Sequence, residues 1–406
     1  MTAPHLPPPP SPVSIPVPDY RGGSLLNLMS SLIRGQGGHC AHAPLRALPP
    51  AAVKGHRHVI LLLLDGMGAG QLDHYLASPS RRRASPFFAS HQPLAVIDTV
   101  SPATTAAVVT TVATGTSPAE HGILGWHLHF PDLGISGPLL PYRTRTGAPM
   151  APDEFPLASY LRLPCPLATI SRARHLVSVA GIPDSPTTRA QPWWTTRRAY
   201  STLPELRDHL VAIARERPQS YTYAYWDHYD SVCHATGPLS RPAVAHLKEL
   251  DRLLADLADA FATLPEPPLL LVIADHGLTP VERLLDLSKI PGLYATFATL
   301  PSGDARCVHL YLRPGRVHDA LALLNAPPLA GTHTLLTGEQ YLASGLLGPG
   351  RPHPDLTSRV GDYVLLAAPG IIFQFPAPYS RVFHFKGHHS GLLPAETRIP
   401  LFALGL

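Results

Sequence analysis

Residues 58–64 read HVILLLL and run directly into Asp65-Gly66-Met67-Gly68. Seven residues without alternation between apolar and polar predict a strand covered on both faces, as in a parallel sheet. The Asp-Gly-Met-Gly segment predicts a loop, with a helix to follow over 71–76. A second stretch, LLLVIA at 269–274, repeats the pattern and ends in Asp275-His276-Gly277. Between and beyond these two, strands are expected at 94–100, 221–226, 362–368 and 399–404, and helices at 24–33, 104–113 and 241–263. Strand, loop and helix recur in that order. This predicts an α/β fold, a three-layer αβα sandwich with a mostly parallel central sheet and ligand groups at the carboxyl ends of its strands.

Two segments break the rhythm. Residues 126–163, rich in Pro and Gly, predict a loop or cap insertion. Residues 281–360 predict a smaller α/β insertion with a strand at 307–312 and a helix at 317–324. Eight prolines among the first eighteen residues predict an extended, mobile arm over 1–19, leaving 20–406 as the folded domain.

Composition narrows the class. The 406 residues are 45% apolar and 15% charged, with net charge 32 − 28 = +4. No long basic block accompanies that small excess, which excludes a nucleic-acid polymer as the expected partner. The run Arg81-Arg82-Arg83 reads as a solvated loop. Cys40, Cys165, Cys233 and Cys307 follow no CxxC spacing, so neither a disulfide framework nor a thiolate metal site is expected. The first residues lack a basic segment followed by an apolar one, and no apolar run reaches the ~18 residues of a membrane span. No membrane contact and a cytoplasmic location are the expectation.

Five places offer metal ligands beside predicted strand ends or in glycine-rich loops: Asp65, Thr104/Thr105, Asp230 with His234, Asp275 with His276, and His388/His389. Each alone has an ordinary structural explanation. An Asp after a strand can simply form the turn, and an Asp and a His four residues apart can pair on a helix surface. Together, the carboxylates, imidazoles and hydroxyl match what zinc accepts, and two ions about 4 Å apart could share them. SPATTAAVVTTVATG, at 101–115, adds a threonine pair at a helix start, where backbone N–H groups and the dipole favour an anion. Such a hydroxyl, activated, is a nucleophile.

These motifs carry a resemblance. LLLLDGMG, SPATTAAVVTTVATGTSPAEHGILGW, YWDHYDSVCHATGP, VIADHGLTPV and KGHHSGLLPAETRIPL together resemble the alkaline phosphatase superfamily and, within it, the type I phosphodiesterase/nucleotide pyrophosphatase family. The pieces stand in family order across the folded chain. The resemblance implies an alkaline phosphatase-like fold and two divalent ions, zinc by preference. One ion would be held by Asp65, Thr105, Asp275 and His276, the other by Asp230, His234 and His389. Thr105 is chosen over Thr104 by counting back from Thr114-Gly115. His389 is chosen over His388 because the family reads Gly-x-His-Gly-Gly there, and Ser390 replaces the first of the last two glycines. A second departure is Val108, where animal-type members carry an asparagine that contacts a phosphate oxygen.

The implied activity is hydrolysis of phosphodiester or pyrophosphate bonds in a small phosphate ester or nucleotide, by double displacement through a phospho-threonine at Thr105. Trp126 is a candidate substrate-binding residue, and Trp193/Trp194 and Tyr223/Tyr225 offer further stacking faces. A phosphomonoesterase, a phosphonoacetate hydrolase, or a non-catalytic metal-binding relative on the same scaffold are the alternatives. Oligomeric state is not legible.

Overall fold

A computed structural model describes residues 15–150, 155–216, 218–378, 380 and 382–406. Residues 1–14 of the expected arm lie outside these. The remainder does not float free: Ile15 packs on the body and the Asp19 N–H donates to Asp98 at 2.9 Å. Among the described residues, seventeen strands, numbered β1 to β17 in chain order, fall into four sheets.

The central sheet has seven strands in the order β2-β17-β8-β1-β7-β5-β6. They are β1 His58–Leu64, β2 Ala95–Asp98, β5 Ala173–Val179, β6 Thr196–Tyr200, β7 Ser220–Trp226, β8 Leu269–Ile273 and β17 Arg398–Leu404. All neighbours run parallel except β17, antiparallel to both β8 and β2. The expected α/β class with a mostly parallel central sheet is what the chain adopts. β1, β7 and β8 are buried along their whole length, as their unbroken runs demand. β5 and β6 were not foreseen. ARHLVSV and TRRAY carry arginines and lie at the sheet's far side, where half-burial leaves no continuous apolar run.

The second sheet corrects the reading of the insertions. β3 His127–Phe130, β4 Ile135–Pro138, β11 Ser302–Asp304, β12 Cys307–Leu310, β13 His333–Thr337 and β14 Tyr363–Ala367 form six strands in the order β13-β14-β12-β11-β3-β4. The segments near 126–163 and 281–360 are therefore joined, through pairing of Gly303 with His127. The second extends past 360, because the 362–368 strand belongs to this antiparallel sheet and not to the central one. Two short pairs complete the set. β10 Arg283–Asp286 lies with β15 Ile371–Gln374, and β9 Thr279–Pro280 with β16 Gly387–His388. Arg81–Arg83 end a short exposed helix, Pro79–Arg83, rather than a loop. All four cysteines are free. Among the described residues no helix is long and apolar enough to cross a membrane.

β1 sits mid-sheet between β8 and β7, with β2 and β17 beyond β8 on one side and β5 and β6 beyond β7 on the other. This is a switch point, where crossovers diverge and leave a crevice at the carboxyl ends of the strands.

Candidate active site

Each candidate side chain is delivered to that crevice by a strand end or by a segment docked on one. Asp65 follows β1, and Asp275 and His276 follow β8. Asp230 and His234 lie one turn apart on helix His228–Thr236, directly after β7. The β9–β16 pair brings His389 alongside the Gly277–Leu278 turn. Gly66 makes the approach possible. Its φ of +77° suits glycine, and a Cβ there would press on Asp230 at 3.1 Å and Leu278 at 2.9 Å.

The seven candidates meet. His276 Nε2 lies 3.2 Å from Thr105 Oγ1, 3.2 Å from Asp275 Oδ2 and 3.6 Å from Asp65 Oδ1. Asp230 reaches His234 Nε2 at 3.1 Å and His389 Nε2 at 4.0 Å. The His276 and His389 rings stack at 3.7 Å. Two compact groups result, each with its donor atoms within 4.8 Å of one another: Asp65, Asp275 and His276, and Asp230, His276 and His389. The first coincides with the expected ligand set around Thr105. In the second, His276 stands where His234 was expected, and His234 flanks Asp230 from outside.

Backbone carbonyls orient three of the imidazoles. The Nδ1–H of His276 donates to Gly277 O at 3.2 Å, that of His234 to Gly387 O at 2.8 Å, and that of His389 to Ala103 O at 3.1 Å. In each, the Nε2 lone pair is left facing the crevice, the arrangement in which a backbone carbonyl orients a metal-binding histidine. His388 differs. Its Nδ1 meets both the N–H of His389 at 3.0 Å and the His389 carbonyl at 3.2 Å, so no single backbone acceptor sets its ring as one does for the other three. Thr104 and Thr105 separate in the same way. Thr104 occupies the N-cap position of helix Thr105–Thr114 without a side-chain cap bond, its hydroxyl donating instead to Asp304 at 2.5 Å, while Thr105 Oγ1 alone faces His276.

The carboxylates lack the donors that burial requires. Asp65 Oδ1, Asp230 Oδ1 and Asp275 Oδ2 are buried without a hydrogen-bond partner. The other Asp65 oxygen takes the Tyr225 hydroxyl, and Asp275 Oδ1 takes the N–H groups of Gly66 and His276, both at 2.9 Å. Burial first, then the charges of Asp275 and Asp230, raises the Asp65 pKa well above its ordinary value. For Asp230, burial pushes upward most strongly, but His234, His276 and His388 together outweigh it and hold the carboxyl pKa below its ordinary value. His389 is held neutral by burial and by neighbouring imidazoles. Three clustered acids with orphaned oxygens, facing imidazole lone pairs, are a donor set that fits divalent cations.

Two cavities open on this cluster, and Thr105, Trp126 and Asp230 line both. One, of about 710 Å³, runs over Tyr223, Tyr225, Ser178, Asp184, Thr188 and Gln191. Trp194 stacks behind Tyr223 at 6.1 Å and hydrogen-bonds Gln191, so of the aromatic pairs it is Tyr223 and Tyr225 that reach a cavity. The other, of about 490 Å³, is walled by Phe373, Phe375, Phe383, Phe385, Asp304 and Arg145. Asp304 was missed in the sequence. It arrives from β11, and SGDARC reads as a plain hairpin with nothing local to mark it. Val108 is fully buried in the core and lines neither cavity, while Val109 lines the larger one. The residue at 108 therefore has no route to a bound phosphate in this chain.

The family model for type I phosphodiesterase/nucleotide pyrophosphatase matches residues 59–391, most of the chain. The chain belongs to that family. It is thereby placed among phosphoric ester hydrolases, as the resemblance of its motifs implied. No curated protein matches it by sequence. Similar solved structures include murine ectonucleotide pyrophosphatase/phosphodiesterase 5, at 17% identity and TM-score 0.63, covering 85% of this chain and 87% of that one. An inactive threonine-to-alanine form of the murine protein, in complex with AMP, matches at 16% identity and TM-score 0.62 over the same shares. Phosphonoacetate hydrolase from Sinorhizobium meliloti 1021, in complex with phosphonoacetate, matches at 17% and 0.58, covering 85% and 89%. At these identities the likeness is one of fold, and it extends across most of this family member's length.

Proposed function

We propose that the chain is a two-metal hydrolase of phosphodiester or pyrophosphate bonds in small molecules, nucleotides among them, acting through a phospho-threonine at Thr105. The observation that carries this is the set of three orphaned carboxylate oxygens facing oriented imidazole lone pairs around one hydroxyl. Asp65, Thr105, Asp275 and His276 would hold one ion and Asp230, His234 and His389 the other, with zinc favoured by the imidazole share. Bound there, such ions supply Lewis acidity and neutralise charge on the phosphoryl oxygens.

The chain's own residues do the rest. Thr105 is the first residue of helix Thr105–Thr114. The N–H groups of that first turn have no intrahelical acceptor and point at the place a phosphoryl oxygen would occupy. Thr105 Oγ1 forms the bond to phosphorus as the ester oxygen departs on the opposite side. Water then cleaves the phospho-threonine and restores the hydroxyl. The larger cavity, of about 710 Å³, has the volume of a nucleoside-sized pocket. Helix Thr105–Thr114 contributes no Lys or Arg to grip a dianion, which favours a diester with one charge fewer.

The test is an activity panel after chelation and metal return. Bis-p-nitrophenyl phosphate and the p-nitrophenyl ester of thymidine 5′-phosphate should be cleaved at least tenfold faster in kcat/KM than p-nitrophenyl phosphate, about 1.4 kcal/mol in the barrier. Chelation should abolish turnover, and zinc should restore it better than magnesium. A monoester preference of that size, or cleavage of phosphonoacetate alone, would overturn the diesterase reading.

A further inference from the structure

The smaller cavity holds groups that the proposed chemistry leaves unused. Arg145 lies on its wall with its guanidinium 5.0 Å above the Phe375 ring, and donates through one nitrogen to Phe375 O. Its Nη1 is shielded from water and has no acceptor, and no carboxylate among the described residues is near enough to pair with it. Beside it, His127 Nδ1 is also buried without a partner, its ring 5.4 Å from that of Phe375. Burial first, and the Arg145 charge second, holds His127 neutral, able to present an N–H from Nδ1. Asp304, on the same wall, is already occupied by Thr104 and by the N–H of Ala305 at 2.7 Å.

A half-buried cation with no counter-charge among the described residues and a buried imidazole nitrogen with no partner there are each costly, and both residues line one space. That space is otherwise aromatic, with Trp126, Phe383 and Phe385 around Phe375, and it opens on Thr105 from the side of His234 and His389. A guanidinium in need of a counter-charge, with an unpartnered imidazole on the same aromatic-walled recess, suits an organic oxyanion on a flat body.

We propose that this cavity binds a second anionic group of the substrate, a carboxylate or phosphate carried on the part that leaves, with Arg145 as its counter-ion. The assignment to the leaving part rests on the function proposed above, since His234 and His389 lie on that side of Thr105.

The experiment compares thymidine 5′-phosphate esters of two nitrophenols of similar acidity, 4-nitrophenol and 3-carboxy-4-nitrophenol. The wild-type protein should prefer the carboxylated leaving group at least tenfold in kcat/KM. Arg145→Gln should bring that ratio within twofold of unity, and Arg145→Lys should restore part of it; thermal melts confirm that both variants fold. In parallel, benzoate, phenylphosphonate and neutral benzamide are titrated calorimetrically into wild-type protein and Arg145→Gln. An anion binding tenfold tighter than benzamide, and losing that margin in the variant, supports the subsite, and the tighter of the two anions names its chemistry. Equal kcat/KM for the two esters, or a preference that survives Arg145→Gln, overturns it. If neither ester is hydrolysed, the proposed function fails, and the titration still decides: anions bound no better than benzamide would overturn the subsite as well.

Discussion

The two cavities that meet at Thr105 are made of different material. The larger is walled by central-sheet strands, through Leu176, Ser178, Tyr223 and Tyr225, and by a hydroxyl-rich segment around Ser185, Thr187 and Thr188. The smaller is walled by Asp304 of the second sheet, by Phe373 and Phe375 in and after β15, and by Arg145 from the 139–150 turn. One offers hydroxyls and tyrosines, the other aromatic rings and a guanidinium with no counter-charge among the described residues. Between them, Asp65, Asp275 and His276 follow strands of the parallel sheet, Thr105, Asp230 and His234 stand on helices, and His389 comes in beside the β9–β16 pair. Thr105 thus faces a wall of the parallel sheet on one side and a wall of other segments on the other.

The residue shared by both cavities should show the largest effect. Thr105→Ala should lower kcat on every ester by at least about 10³-fold, roughly 4 kcal/mol, whatever the leaving group. Stability should change by no more than about 1 kcal/mol, since Thr105 is not at the N-cap position. Retained turnover on either ester class would break the idea of one nucleophile serving both sides.

Val108 lines neither cavity, and it sharpens the contrast. Val108→Asn, which restores the residue of the animal-type members, should cost about 3 kcal/mol in denaturant unfolding by burying an unsatisfied amide. It should leave the ratio of diester to monoester activity unchanged. A raised ratio in a stably folded Val108→Asn protein would show that the position reaches the substrate after all.

The smallest effect lies behind the histidines. Ser390 adopts φ +86°, where the family prefers glycine, and its Oγ accepts the Arg306 N–H at 3.1 Å. Arg306 in turn pairs with buried Glu396 at 2.7 Å, which also takes the Gly391 N–H at 2.8 Å, so this loop is braced from below. Ser390→Ala keeps the strained backbone and loses the bond, and should destabilise by about 1 kcal/mol. Ser390→Gly loses the same bond but relieves a strain of about 1 kcal/mol, and should be close to neutral by equilibrium unfolding.

The same division explains what could be read in advance. Asp65, Asp275 and His276 follow runs whose burial is plain from composition, so position along the chain fixes position in space. Helices Val317–Leu324 and Arg241–Ala262 and strand His58–Leu64 were legible for the same reason. Asp304 and Arg145 gain meaning only when Gly303 pairs with His127 across some 175 residues of chain. Gly125 permits that pairing, since a Cβ there would lie 2.4 Å from the Gly303 backbone. Nothing local in SGDARC or YRTRTG announces it. β5 and β6 escaped because half-buried strands may carry charge on their open face, which hides their period.

The central claim is that two ions lie between the seven converging residues, and anomalous diffraction from crystals of the zinc-loaded protein tests it most directly. The account predicts two peaks, one bound by Asp65, Thr105, Asp275 and His276 and one by Asp230, His234 and His389, about 4 Å apart. A single ion held by Asp230, His276 and His389, with His234 and Thr105 unbound, would contradict it.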